Sequence, residues 1–133
     1  MHVKNHELTE AEWEIIKTVW DNQPCTAPAV QELLQRLKGW HYSTVKTMMD
    51  RMVAKGLLKQ EKIRNLTLYR SVITKKEAQT CEIMRTVKRA FNGALTPMMQ
   101  FLLENKDLSN DELSGLEAMI KSKKEKVKKE NSL

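Results

Sequence analysis

Between Tyr42 and Arg51 the chain sets hydroxyl and cationic side chains, Ser43, Thr44, Lys46, Thr47 and Arg51, among apolar residues at Val45, Met48, Met49, Met52 and Val53. At helical spacing the apolar set takes one face and the polar set the other. A serine or threonine hydroxyl can bond a base edge, a threonine methyl can meet that of thymine, a lysine can reach guanine acceptors and an arginine can hold phosphate. Near a helix N-terminus this combination suits reading of the DNA major groove, and Tyr42 at the start of the helix joins the set. An ordinary amphipathic helix with a solvated outer face carries the same pattern.

A second group of cations follows. Lys59, Lys62 and Arg64 fall on or near the tip of an expected hairpin, where they could touch the backbone or the adjacent minor groove. Tyr69, an aromatic on a strand, reads as packing. Charge is distributed accordingly. Residues 1–35 carry a net −4, whereas residues 36–70 hold nine lysines and arginines against Asp50 and Glu61, a net +7 within a chain of net +6. Such asymmetry marks a face for a polyanion, or a lysine-rich surface that only meets water.

Other chemistry finds little support. His2, His6 and His41 have no metal-ligand spacing with each other or with Cys25 and Cys81, and the cysteines lack a C-x-x-C pair. There is neither a Gly-rich phosphate loop nor a set of nucleophile, base and orienting residue. No enzyme, metal or cofactor is therefore expected. No apolar run is long enough to span a bilayer, and Met1–His6 lacks the apolar core of a leader, so the cytoplasm is the expected compartment, without membrane insertion.

The elements that must position these residues can be read from their ends. Capping boxes stand at Thr9-x-x-Glu12, Thr74-x-x-Glu77 and Ser109-x-x-Glu112, the first and third with apolar staples, Leu8 with Trp13 and Leu108 with Leu113. A first helix spans about 10–21, with Trp13, Ile16, Val19 and Trp20 in its stripe. Thr26 and Pro28 open a second, whose Val30, Leu33, Leu34 and Leu37 face the core until Gly39. The third runs from Tyr42 to Lys55 and stops at Gly56. Residues 57–63 and 66–73 then form a hairpin around Arg64-Asn65. Three helices and a hairpin in this order make a winged helix-turn-helix, mainly α with one small β-hairpin.

From Thr74 the pattern is helical again, with Cys81, Met84, Val87, Lys88 and Phe91 along one side and Pro97 as an expected break or kink. Met98, Met99, Phe101, Leu102 and Leu103 follow as a dense apolar patch, and Leu113, Leu116, Met119, Ile120 and Val127 line a last helix. That helix dissolves into the basic run from Lys121, read as a frayed, solvated end complementing the helix dipole rather than as a nucleic-acid tail. The expected division is a DNA-binding domain over residues 1–73 and a helical domain over residues 74–133.

Three segments carry a resemblance: Leu8–Trp20, reading LTEAEWEIIKTVW; Tyr42–Leu58, reading YSTVKTMMDRMVAKGLL; and Lys106–Leu113, reading KDLSNDEL. In this order they resemble the penicillinase repressors, winged-helix regulators of β-lactamase, methicillin-resistance and copper-response genes. The resemblance implies a homodimer on a palindromic double-stranded operator, with the third helix in the major groove. It implies that Ser43, Thr44, Lys46 and Thr47 face bases, that Arg51 holds phosphate, and that Tyr42, Lys62 and Arg64 add to the DNA surface. It further implies intertwined C-terminal helices, with Phe91, Leu95, Met98, Met99, Phe101, Leu102, Leu113, Leu116 and Ile120 at the dimer contact. The copper-responsive branch has a cysteine cluster near its C-terminus; none lies beyond Cys81 here. The antibiotic-responsive branch is cut at an Asn-Phe bond through a membrane-bound sensor metalloprotease pathway, and the corresponding stretch reads Gln100-Phe101-Leu102-Leu103, which places the candidate cut at Phe101 and Leu102. Two other functions remain open: a protein-interaction module whose basic face meets an acidic partner, and a DNA-binding regulator that does not repress.

Overall fold

The computed structural model describes residues 7–132; His2, His6 and the leader reading of Met1–His6 lie outside them. The elements follow in the order α1 (Glu10–Asn22), α2 (Ala27–Lys38), α3 (Tyr42–Ala54), β1 (Leu58–Ile63), β2 (Leu66–Ser71), α4 (Lys75–Phe91), α5 (Leu95–Asn105) and α6 (Asn110–Asn131). They fall into two compact units, one ending at Thr86 and one starting at Val87.

In the first unit α1 begins where its cap is satisfied in both directions. The Thr9 amide donates to Glu12 Oε1 at 2.9 Å, and the Glu12 amide donates to Thr9 Oγ1 at 3.1 Å. The helix buries Ile15, Ile16 and Val19, with Leu8 in the same core and Trp13 and Trp20 packed against it. Thr26 caps α2 by accepting from the Ala29 amide at 3.3 Å, and Gly39 ends it in the left-handed conformation that costs glycine no Cβ clash. Val45, Met49 and Met52 of α3 complete the helical part of the core at the predicted spacing.

The sheet is one antiparallel pair, registered from Leu58↔Ser71 to Ile63↔Leu66, with Arg64-Asn65 as its turn. A two-residue bridge joins this wing to the α1–α2 connection: the Tyr69 amide donates to the Cys25 carbonyl at 2.7 Å, and the Cys25 amide returns a bond to the Tyr69 carbonyl at 3.2 Å. Trp20 Nε1 donates to Ser71 Oγ at 3.0 Å and to the Ile73 carbonyl at 3.1 Å, tying α1 to the end of β2.

One acidic residue, Glu12, is buried in this unit. Lys55 Nζ lies 2.7 Å from its Oε2. Burial raises the Glu12 pKa, but the bonds from Lys55 and from the Thr9 backbone outweigh it and hold the carboxyl below the ordinary glutamate value.

The second unit contains the end of α4 with α5 and α6. Val87 and Met98 are buried, and the Phe91 and Phe101 rings meet at 6.4 Å in a tilted pair. Ser109 and Glu112 form the full capping box expected for α6. Leu113 and Leu116 are half-buried, whereas Leu95, Phe101, Leu102, Leu103, Met119 and Ile120 are exposed.

Two sequence expectations are corrected, for α2 and for Pro97. Leu33 and Leu37 do not face the core. Ala27, Val30 and Leu34 form the buried stripe of α2, Leu33 lies to its side, and Leu37, in the final turn, is 75% exposed. Met84 is also exposed, although Val87 on the same helix is buried. Pro97 neither breaks nor kinks a helix. It sits in the first turn of α5, where its missing N–H would have had no intrahelical acceptor. The break comes earlier, at Asn92 and Gly93, both left-handed, with φ of 51° and 83°.

Candidate nucleic-acid interface

The apolar face of α3 fixes its outer face. With Val45, Met49 and Met52 held in the core, Tyr42, Ser43, Thr44, Thr47, Asp50 and Arg51 are exposed and Lys46 is half-buried. The N-terminus of the helix is also exposed chemically. Thr9, Thr26 and Ser109 cap α1, α2 and α6 with side-chain oxygens, but His41, the N-cap of α3, makes no side-chain cap bond. The amides of its first turn therefore keep their capacity to bind an anion, beside three hydroxyl-bearing residues.

The wing supplies the second group. Lys62 pairs with Thr67 next to the turn, and Arg64 occupies it with φ of 58°. Both are exposed, as is Lys59. Among the described residues Arg51, Lys62 and Arg64 have no carboxylate within ion-pair distance.

Lys46 differs from all of these. Its Nζ lies 2.9 Å from Asp50 Oδ1, 3.1 Å from Asp50 Oδ2 and 2.7 Å from the Tyr69 hydroxyl, which in turn donates to Asp50 Oδ1 at 3.0 Å. The ammonium is 5.5 Å from the ring centroid. Combined with the short contact to the hydroxyl, that distance puts it off the oxygen end of the ring rather than over the π face, so the contact is a hydrogen bond. The bonds to Tyr69 and then to Asp50 hold the lysine pKa well above its ordinary value, and the Lys46 bond lowers that of Asp50. Burial raises the Tyr69 pKa. A cavity of about 440 Å³ opens beside this cluster, lined by Pro28 of α2, Tyr42 and Lys46 of α3, and Asn65, Thr67 and Tyr69 of the hairpin.

Residue type and spacing assign Lys46 to the site without its partners and Tyr69 to the packing alone. The Asp50 partnership was visible as an i,i+4 pair of opposite charge on one helix. The tyrosine contact was not, because it depends on how the wing folds back. The buried side of Tyr69 agrees with the packing role, and its hydroxyl adds a polar one. Of the residues named for self-association and cleavage, Phe101 and Leu102 lie inside α5 and are exposed.

Among the described residues no group of three His, Cys, Asp or Glu side chains could hold a metal ion, and no helix is long and apolar enough to cross a membrane.

Known proteins place the chain. The profile of the family described as "Penicillinase repressor" matches residues 8–122. The methicillin resistance regulatory protein MecI of Staphylococcus aureus strain N315 is 24% identical over 123 residues, covering 92% of this chain and all of MecI. The penicillinase repressor of Bacillus licheniformis is 26% identical over 122 residues, covering 92% and 95% of the two chains. Among solved structures, the B. licheniformis BlaI monomeric form in complex with the blaP half-operator superposes with a TM-score of 0.50 at 26% identity, over 56% of this chain and 90% of the chain in that structure. A MarR family protein from Bacillus stearothermophilus shares the fold, with a TM-score of 0.50 at 13% identity over 95% of this chain and 79% of its own. On the span and agreement of these matches, the chain belongs to the penicillinase repressor family of DNA-binding winged-helix transcriptional regulators.

Proposed function

We propose that this repressor binds a palindromic double-stranded operator as a homodimer in the cytoplasm, and that proteolysis in its C-terminal helices relieves repression. The observation that carries the DNA-reading part is the outer face of α3, where an uncapped N-terminus, Ser43, Thr44, Thr47 and the cation Arg51 lie together. In this reading the hydroxyls, Lys46 and Tyr42 address base edges, while Arg51, Lys62, Arg64 and the first-turn amides hold phosphates. That BlaI, at 26% identity over this part of the chain, was solved in complex with a half-operator supports DNA binding.

Homodimerisation has its support in the second unit. Leu95, Phe101, Leu102 and Ile120 are exposed apolar side chains, with Phe91, Met98, Met99, Leu113 and Leu116 beside them in the set assigned to the contact. A two-fold dimer matches a two-fold operator. Phe101 and Leu102 are the candidate cleavage position. A protease needs extended backbone, so a cut there requires this part of α5 to unwind, and separation of the subunits would then lower operator affinity. The input assigned to that step is the membrane-bound sensor metalloprotease pathway.

Selection of duplexes from a randomised 30-base-pair library, followed by titration of the enriched sequence in fluorescence anisotropy, tests this function. Enriched sequences should contain inverted repeats. Arg51, Lys62 and Arg64 from two protomers should give log K a slope of about −5 against log salt. Absence of any enriched sequence, with affinity flat between low and moderate salt, would overturn it. An acidic protein partner bound by the same face would instead support an interaction module.

A further inference from the structure

We propose that Asp50 is a specificity-determining positioning residue: with the Tyr69 hydroxyl it clamps the Lys46 ammonium, keeping that cation from the phosphate backbone and presenting it with a carboxylate beside it to a G·C base pair. The inference rests on the DNA-reading function above and adds to it a residue with no previous role.

The first support is valence. An ammonium has three N–H donors. The Tyr69 hydroxyl oxygen, 2.7 Å from Lys46 Nζ, takes one, and the two oxygens of the single Asp50 carboxylate, at 2.9 and 3.1 Å, share a second, which leaves the third for a guanine acceptor. The second is rigidity. An exposed i,i+4 Lys–Asp pair alone is loose and contributes little. Here the pair is fixed to a post, because the Tyr69 side chain is fully buried and its backbone exchanges two hydrogen bonds with Cys25. The Tyr69 hydroxyl both accepts from Lys46 and donates to Asp50, which closes the triangle. The third is contrast. Arg51, Lys62 and Arg64 have no ion-pair partner among the described residues, whereas the cation nearest the base-reading turn is internally neutralised.

These facts fit discrimination better than general affinity. A phosphate drawn to Lys46 would meet the Asp50 carboxylate and be repelled. A G·C pair in the major groove offers guanine O6 and N7 as acceptors and the cytosine N4 amine as a donor, which matches an ammonium and a carboxylate held side by side. An A·T pair lacks that arrangement.

The experiment compares the duplex most enriched by the wild-type chain with a scrambled duplex of equal length, for wild type, Asp50→Asn, Tyr69→Phe, Lys46→Gln and the Lys46→Gln/Asp50→Asn double variant. Asp50→Asn should raise affinity for the scrambled duplex about fivefold at 0.15 M salt and steepen its salt slope by about one, the effect of one added phosphate contact. On the enriched duplex the same gain should be offset by the weaker acceptor left for cytosine N4, so discrimination falls about fivefold, with loss of preference at one G·C position. Tyr69→Phe alters no charge and keeps the ring, yet should lower discrimination in the same direction by about twofold. In the Lys46→Gln background Asp50→Asn should shift both duplexes equally. Equal gains on both duplexes with Lys46 present, or no change in Tyr69→Phe, would overturn the clamp while leaving sequence-selective binding intact. A wild-type chain that enriches no sequence would overturn the DNA-reading function itself, and the clamp with it.

Discussion

Up to Thr86 the chain buries Leu8, Ile15, Ile16, Val19, Val30, Leu34, Val45, Met49, Met52, Leu57, Leu58 and Tyr69 in one cluster. From Val87 onward Val87 and Met98 alone are buried among the described apolar residues, while Leu95, Phe101, Leu103, Met119 and Ile120 face outward. Full burial of a large apolar side chain stabilises by about 1.5–3 kcal/mol, so the first unit realises within one chain what the second leaves unrealised. The lesson is a separation of dependence. The reading head owes its stability to its own sequence, and the helical unit owes its stability to whatever covers it, which in the proposed function is a second copy.

The strongest test of that separation is Ile16→Ala. It empties part of a fully buried site in the first unit and should lower unfolding free energy by about 2–5 kcal/mol, measured by urea denaturation. The loss should be the same at every protein concentration; a loss that changed with concentration would break the comparison. Phe101→Ala comes next. It removes an exposed ring of the second unit and should weaken self-association by about 1–3 kcal/mol, roughly five- to 150-fold in Kd, in sedimentation equilibrium. The first unit's urea midpoint should not move.

Glu12→Gln sharpens the comparison from the polar side. The Glu12 side chain is 7% exposed while its partner Lys55 is half in water, so breaking the pair should cost about 1–2 kcal/mol at neutral pH rather than the full cost of a doubly buried pair. Because the folded carboxyl lies below its ordinary value, its contribution is present above that value and is lost as pH falls through the folded pKa. Wild type and variant should therefore converge in acid unfolding experiments. The smallest effect is expected for Ser109→Ala, which removes the α6 cap at a cost of about 0.5–1 kcal/mol. It should appear in the concentration-dependent transition only.

Legibility follows the same division. Caps and stripes give α1, α3 and the start of α6 to within a residue or two, because Thr9, Ser109 and the Val45/Met49/Met52 spacing act locally, but not the end of α6, which stays helical through the basic run to Asn131. The wing is readable from its two short extended runs and from Arg64-Asn65 between them. Leu37 misled because periodicity says which residues share a face, and cannot say where along a helix its neighbours stop. Pro97 misled because a proline is a helix breaker inside a helix and a tolerated residue in its first turn. At the candidate interface the polar face of α3 was legible from type and spacing. The closure of Lys46 by Tyr69 was not, since it joins residues 23 positions apart through a tertiary fold.

The bridge between Cys25 and Tyr69 has a consequence for which insertions and deletions the family fold tolerates here. A surface connection between two helices ordinarily accepts a change of length, because its ends are all that the fold constrains. This one is pinned at its middle to the strand that carries the hydroxyl holding Lys46. It acts as a ruler: a residue added between Asn22 and Ala27 has to be absorbed as a bulge on one side of Cys25, or else it shifts the register of the bridge and changes which residue stands beneath the reading helix.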